Sequence, residues 1–295
     1  MEVVPKSFGD NLSEWFRAMG RSWRPLLTFS LVVFVPIAVL LAVFTVATGA
    51  DQSMRDLFLA DPDLIQPDEA FDLIVPLILG LSVLVILQSL GGLLVYVASA
   101  RTWALSLNGI TPTAAELWSH VLSRIASVVA ASVIILLAFV AASGLVAAGG
   151  WAVISNFDVS FLTVFVTTVG VLTALVVMIW LSVSVSMFPP VISSEGSGAA
   201  RSLARSFDLV KGRWWPTLGY VAVAGIIASS AIQIISVAIA PLFLLATAIP
   251  ALFAVGYGLI TILQGPLNAA LGLAYGIWYT DLRARTGPLT PEELI

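Results

Sequence analysis

The side chains in this sequence that could do chemistry fall into three groups. The first is Glu116, His120 and Arg124, spaced i, i+4 and i+8, so one helix face would carry all three. That spacing suits a charge relay, and it equally suits a solvated helix face, which is the reading preferred here. The second group is the amides Gln88, Gln233, Gln264 and Asn268, which sit inside apolar runs. Gln264 and Asn268 flank Gly265-Pro266, where proline removes a donor and the helix ladder is expected to open. Broken helices at mid-membrane are where substrate sites form; amides between helices also serve as packing glue. The third group is Arg201, Arg205, Lys211 and Arg213, followed by Trp214-Trp215. Basic residues gain roughly 1 kcal/mol each near an anionic leaflet, and tryptophan settles at headgroup level. The group therefore reads as a site for anionic lipid headgroups or a partner, or as a positive anchor without lipid selectivity. Asp208 lies three residues from both Arg205 and Lys211 and reads as their local partner.

Composition removes most other chemistry. There is no cysteine, which excludes disulfides and thiolate metal sites, and His120 is the single histidine, which excludes any site built on several imidazoles. No P-loop, G-x-S-x-G, H-E-x-x-H or post-strand G-x-G-x-x-G motif occurs. The acidic stretch 50–72 lacks the spacing of a calcium-binding loop. No catalytic residue, metal, cofactor or nucleic-acid partner is expected. Of the 295 residues 59% are hydrophobic and 10% charged. Soluble domains carry about 25% charged residues, so most of this chain must have lipid as its solvent.

The elements that position these groups are therefore membrane helices. The expected fold is all-α and polytopic, a single integral membrane domain over 1–295 with six spans near 26–48, 73–99, 125–150, 161–188, 217–240 and 251–280. Each is long enough for a bilayer core. The first run exceeds the length of a signal-peptide core and reads as a retained span. Pro241–Pro250 reads as an uncharged turn or a partly re-entrant piece. Lys and Arg number four in 1–25, two in 101–124, four in 189–216 and two in 281–295, against Arg55 alone on the other side. Basic loops are cytoplasmic, so both termini are expected in the cytoplasm and the 50–72 loop outside. No ionisable residue falls well inside a span, which argues against a proton-coupled pump.

The basic stretches preceding spans one, three and five resemble one another. Phe16 to Leu27 aligns without gaps to Phe207 to Leu218, matching Phe, Trp, Pro and the final Leu. In the middle stretch Trp118, Val121 and Ile125 take the places of Phe16, Met19 and Trp23. Each has apolar residues at helical spacing and a polar opposite face, the pattern of an amphipathic helix lying in the membrane plane. The middle one opens with a capping box, Thr113-Ala-Ala-Glu116. The chain thus reads as three parallel units, each an interfacial helix plus a transmembrane hairpin. Gly272 and Gly276 form a G-x-x-x-G in the last span, expected to serve an internal helix contact.

Two further stretches carry a family resemblance. Residues 188–219 run from a double proline through Glu195-Gly196 into Ser202-Leu-Ala-Arg-Ser-Phe-Asp-Leu-Val-Lys-Gly212, and the last span closes on Tyr279-Thr-Asp-Leu-Arg-Ala-Arg285. Both resemble the bacterial glycerophosphoryl diester phosphodiesterase membrane domain family. The resemblance implies the membrane region that accompanies a diesterase barrel, without the barrel. The diesterase chemistry belongs to that barrel, so no activity is carried over. The continuation Thr286-Gly287 departs from the family pattern.

The expected function is a non-catalytic integral protein of the bacterial inner membrane, a lipid-interacting, scaffold or accessory protein meeting anionic lipid or a protein partner. The alternative is a transporter or channel for a small molecule or lipid, with a path near Gln264, Pro266 and Asn268.

Overall fold

A computed structural model describes residues 3–47, 67–156, 161–246, 249 and 251–294. Most of the described residues are helical, and none of them lies in a strand. They form α1 (Phe8–Ala47), α2 (Pro67–Leu107), α3 (Ala114–Asn156), α4 (Phe161–Val185), the short α5 (Phe188–Glu195) and α6 (Ala199–Val210), then α7 (Trp214–Ala246) and α8 (Ala251–Thr286). A 3₁₀ turn, Pro291–Leu294, closes the chain. Six helices are long and apolar enough to cross a membrane, as expected. Most of the 50–72 loop and residues 157–160 lie outside the described residues.

α8 is the central helix, packed against α1, α2 and α7. Lipid tails are as apolar as leucine, so burial alone does not hold such helices together; close backbone packing does. Glycines make that approach. A Cβ on Gly272 would stand 2.9 Å from the Tyr96 Cα, and one on Gly276 3.2 Å from the Ala100 Cα. The G-x-x-x-G is thus an internal α8–α2 contact. Gly265 faces Phe34 and Ser30 of α1, and Gly91 of α2 faces Ile37 and Val33. Buried indoles pin the same bundle: Trp15 Nε1 donates to the Ala270 carbonyl (2.7 Å), Trp103 to Thr280 (3.2 Å) and Trp278 to Thr217 (3.0 Å). α3, α4 and α7 instead leave most of their apolar spans exposed.

The structure corrects several boundaries. The first two lead-in helices are continuous with their spans: α1 runs unbroken from Phe8 and α3 from Ala114. Only the third, α6, is a separate helix. Its break falls at Gly212, whose φ of +77° is a left-handed conformation that glycine adopts without strain. Arg21 occupies the aligned position in α1, so no such break is available there. The shared pattern survives in exposure, with Val121 and Val210 buried and Met19 packed on the core, while Phe16 and Trp118 face outward. Pro241 and Pro266 interrupt neither α7 nor α8. The expected opening at Gly265-Pro266 and the turn beginning at Pro241 are both replaced by helix. Packing of neighbours such as Phe34 onto Gly265 holds α8 through its proline.

Candidate functional site

The basic ends of the helices meet around α5 and α6. Pro189 and Pro190 stand in the first turn of α5, where their missing N–H groups cost nothing. The helix is buried from Phe188 to Ser193 and ends at Gly196, φ +62°. This turn carries the site's geometry. The Glu195 carboxylate accepts from Tyr279 Oη (3.0 Å) and Arg205 Nε (3.2 Å), and Arg283 Nε lies 3.6 Å away. Arg124 Nη1 donates to the Gly196 carbonyl at 3.3 Å. The two stretches that carried the sequence resemblance, Glu195-Gly196 and the end of α8, therefore bind each other.

A second clamp lies beside the first. Asp281 is buried; it accepts from the Lys6 backbone N–H and from Arg285 Nε, both at 2.6 Å, and Arg285 Nη2 donates to the Lys6 carbonyl at 2.6 Å. This ties the segment before α1 to the last turn of α8. Inside α6, Ser206 donates to the Ser184 carbonyl (2.8 Å) and receives the Met187 N–H (3.1 Å). α6 is thereby fixed to the end of α4.

The residues singled out in the sequence scatter around this core. Arg205 faces inward to Glu195 and is half-buried, whereas Arg201, Lys211 and Arg213 are exposed and make no ion pair among the described residues. Asp208 is exposed, and Arg205 is paired with Glu195 in place of the expected local pairing. Trp215 is 76% exposed, while Trp214 packs edge-on against it and donates to the Trp180 carbonyl (3.3 Å). Trp23 and Trp118 are also exposed at this end, and Arg24 lies 5.4 Å from the Trp23 ring. Aromatic and basic side chains thus rim one end of the bundle.

Glu116 forms the capping box with Thr113, accepting its N–H at 2.7 Å, and those hydrogen bonds hold its carboxyl below the usual range. His120 and Arg124 depart from the solvated face expected of them. His120 lies in the first turns of α3, ahead of the apolar run from Ile125 that is expected to span. It is half-buried, with Nε2 3.2 Å from Ser193 Oγ. The Ser193 proton goes to the Val97 carbonyl (3.0 Å), so the ring is the donor. Burial, reinforced by Arg101 and Arg124, lowers the His120 pKa to about 4, so the ring is neutral at physiological pH.

The amides do not form one path. Gln88 donates to Thr261 at 2.8 Å and Asn268 accepts from Tyr96 at 3.4 Å, both between α2 and α8. Gln264 is half-buried, and Gln233 is exposed on α7, apart from the others. Sequence reasoning missed Glu195, Tyr279 and Arg283 as an ionic node. All three lie in stretches 188–219 and 279–285, but nothing in the sequence pairs those stretches.

A family model described as a domain of unknown function (DUF7847) matches residues 17–279. The chain belongs to this family. The match takes in Arg124, Glu195, Arg205 and Tyr279, and ends before the Asp281–Arg285 clamp. No curated protein and no solved structure matches the chain.

Proposed function

We infer that this chain is a non-catalytic integral protein of the bacterial inner membrane, with both termini cytoplasmic, whose basic end engages anionic lipid headgroups as a lipid-interacting scaffold or accessory protein. The observation that carries the reading is the division of labour among the cations. Arg205, Arg283 and Arg285 are neutralised by carboxylates of the protein, whereas Arg201, Lys211 and Arg213 are exposed with no ion pair among the described residues, Lys211 and Arg213 leading directly to exposed Trp215. Exposed cations at tryptophan level are attracted to an anionic leaflet, by about 1 kcal/mol per residue. The single histidine is engaged with Ser193, which leaves it poorly placed for acid–base work. The resemblance to the diesterase-associated membrane region fits a membrane module and adds no diesterase chemistry. A path along Gln264 and Asn268 has less support, because α8 is continuous there and Asn268 is bonded to Tyr96.

The test is native mass spectrometry of the purified protein in mixed phosphatidylglycerol and phosphatidylcholine. Wild type retains phosphatidylglycerol preferentially, and the triple variant Arg201→Gln, Lys211→Gln, Arg213→Gln loses that preference. Arg205 stays in place because it holds Glu195. A preference unchanged in the triple variant rejects the reading.

A further inference from the structure

Between α2, α3, the α4–α5 junction and α8 lies an open recess of about 420 Å³. That volume lies within the roughly 300–1,000 Å³ of ligand pockets. Its walls are mostly apolar, with Leu93, Leu136, Phe139 and Phe188 among them. Along α2 it extends from Ser89 to Tyr96 and along α3 from Ser132 to Phe139. Seven residues on each helix correspond to about 10 Å of depth. The recess opens onto the exposed apolar faces of α3 and α4, so it is continuous with the surface that meets lipid tails.

Among its polar side chains, Ser89 and Tyr275 make no hydrogen bond among the described residues, and the others are committed. Ser132 and Ser182 donate to carbonyls of their own helices, and Ser186, just past α4, donates to the Val183 carbonyl, each at 2.7 Å. Tyr96 donates to Asn268. Tyr275, whose ring packs 5.3 Å from that of Tyr96, has a hydroxyl with no hydrogen bond among the described residues. Tyr275 lies one turn of α8, about 6 Å, deeper than Tyr279, which is bonded to Glu195. With the Glu195 cluster at headgroup level, that depth is the interfacial zone, which adds roughly 5–8 Å on each side of the hydrocarbon core. The ester carbonyls of a glycerolipid lie in that zone.

We propose that this recess seats one acyl chain of a cytoplasmic-leaflet glycerolipid, with the Tyr275 hydroxyl donating to the ester carbonyl at its mouth. The site shares the membrane orientation of the reading above but uses none of its cations, so it selects for the ester and the chain, not for headgroup charge.

The test uses delipidated protein titrated with phosphatidylcholine and with its ether-linked analogue, which lacks the carbonyl, read by native mass spectrometry. Wild type retains one ester lipid per chain and binds the ether lipid about 2- to 10-fold more weakly, as loss of one hydrogen bond of about 0.5–1.5 kcal/mol implies. Tyr275→Phe binds both lipids equally, at the weaker level. Leu136→Trp fills the recess from its lipid-facing wall and abolishes retention. The triple variant of Arg201, Lys211 and Arg213 keeps the phosphatidylcholine, which separates failure of this site from failure of the headgroup site. Undiminished ester preference in Tyr275→Phe overturns the proposal. So does a dimer that excludes lipid, since the recess would then be filled by a second copy of the chain.

Discussion

Substituting Gly272 by alanine perturbs the centre of the bundle by one methyl group. The new Cβ would stand 2.7 Å from Ser99 Cβ, 2.8 Å from Ser99 Oγ and 2.9 Å from the Tyr96 Cα. The first two contacts involve a side chain that has little room; the third is backbone and cannot turn away. Forcing extra volume into a packed core costs about 1–3 kcal/mol. Alanine's better helix propensity returns up to about 1 kcal/mol. The net expectation is a loss of about 1–2 kcal/mol, from separation of α8 and α2. Gly144 of α3 is the control, because nothing lies within 4 Å of its Cβ position. Gly144→Ala should be neutral or stabilising by up to about 1 kcal/mol. A second control removes the obstacle. Ser99→Gly in the Gly272→Ala background clears the two shortest contacts and leaves the one to Tyr96, so it should restore part of the loss. Reversible unfolding in mixed micelles, followed by circular dichroism, gives the three differences. Equal stability of Gly272→Ala and Gly144→Ala would refute the close approach of α8 to α2.

Three further outcomes follow from the basic end. Gly196→Ala must hold alanine at φ +62° and meet Arg124 Nη1 at 2.7 Å; the left-handed backbone alone costs about 1–2 kcal/mol, and Gly196→Asn should cost less in the same unfolding assay. Glu195→Gln removes the carboxylate shared by Arg205 and Arg283; stability should fall by no more than about 1 kcal/mol, while phosphatidylglycerol affinity should rise several-fold, as freed arginines near an anionic surface imply. The His120 pKa is about 4 in the folded chain and about 6.5 when unfolded. The unfolded state therefore binds more protons between those values, and stability falls as pH drops through that window. His120→Gln should lose the part of this decline between pH 6.5 and 5 when unfolding is measured across pH; an undiminished decline would place its origin elsewhere.

The spans and their order were legible because twenty-residue apolar runs and alternating basic loops depend on composition, which short-range reading captures. The joins were not. A lead-in helix and the span behind it share one 3.6-residue period, so the pattern marks no boundary between them unless a residue such as Gly212 permits a break. Pro241 and Pro266 read as interruptions because the missing donor is visible in sequence while the neighbouring helices that support α7 and α8 are not. The candidate site shows the same division. The capping box of Thr113 and Glu116 is local and was readable. The Glu195–Tyr279 bond joins residues 84 apart, and Arg205 prefers it to Asp208 three residues away. The recess beside Tyr275 had no sequence signal, since an aromatic residue in a span reads as packing.

The proposed orientation puts the basic end, with α6 and its exposed cations, at the cytoplasmic leaflet. The natural absence of cysteine makes this directly measurable, because any introduced thiol is the only one. Single cysteines at Lys211 and at Ser53, in the acidic stretch between the first two spans, would be labelled with a membrane-impermeant maleimide in intact cells and after permeabilisation. With the basic end in the cytoplasm, Ser53→Cys is labelled in intact cells and Lys211→Cys only once the membrane is opened. Labelling of Lys211→Cys from outside, with Ser53→Cys protected, would contradict that orientation.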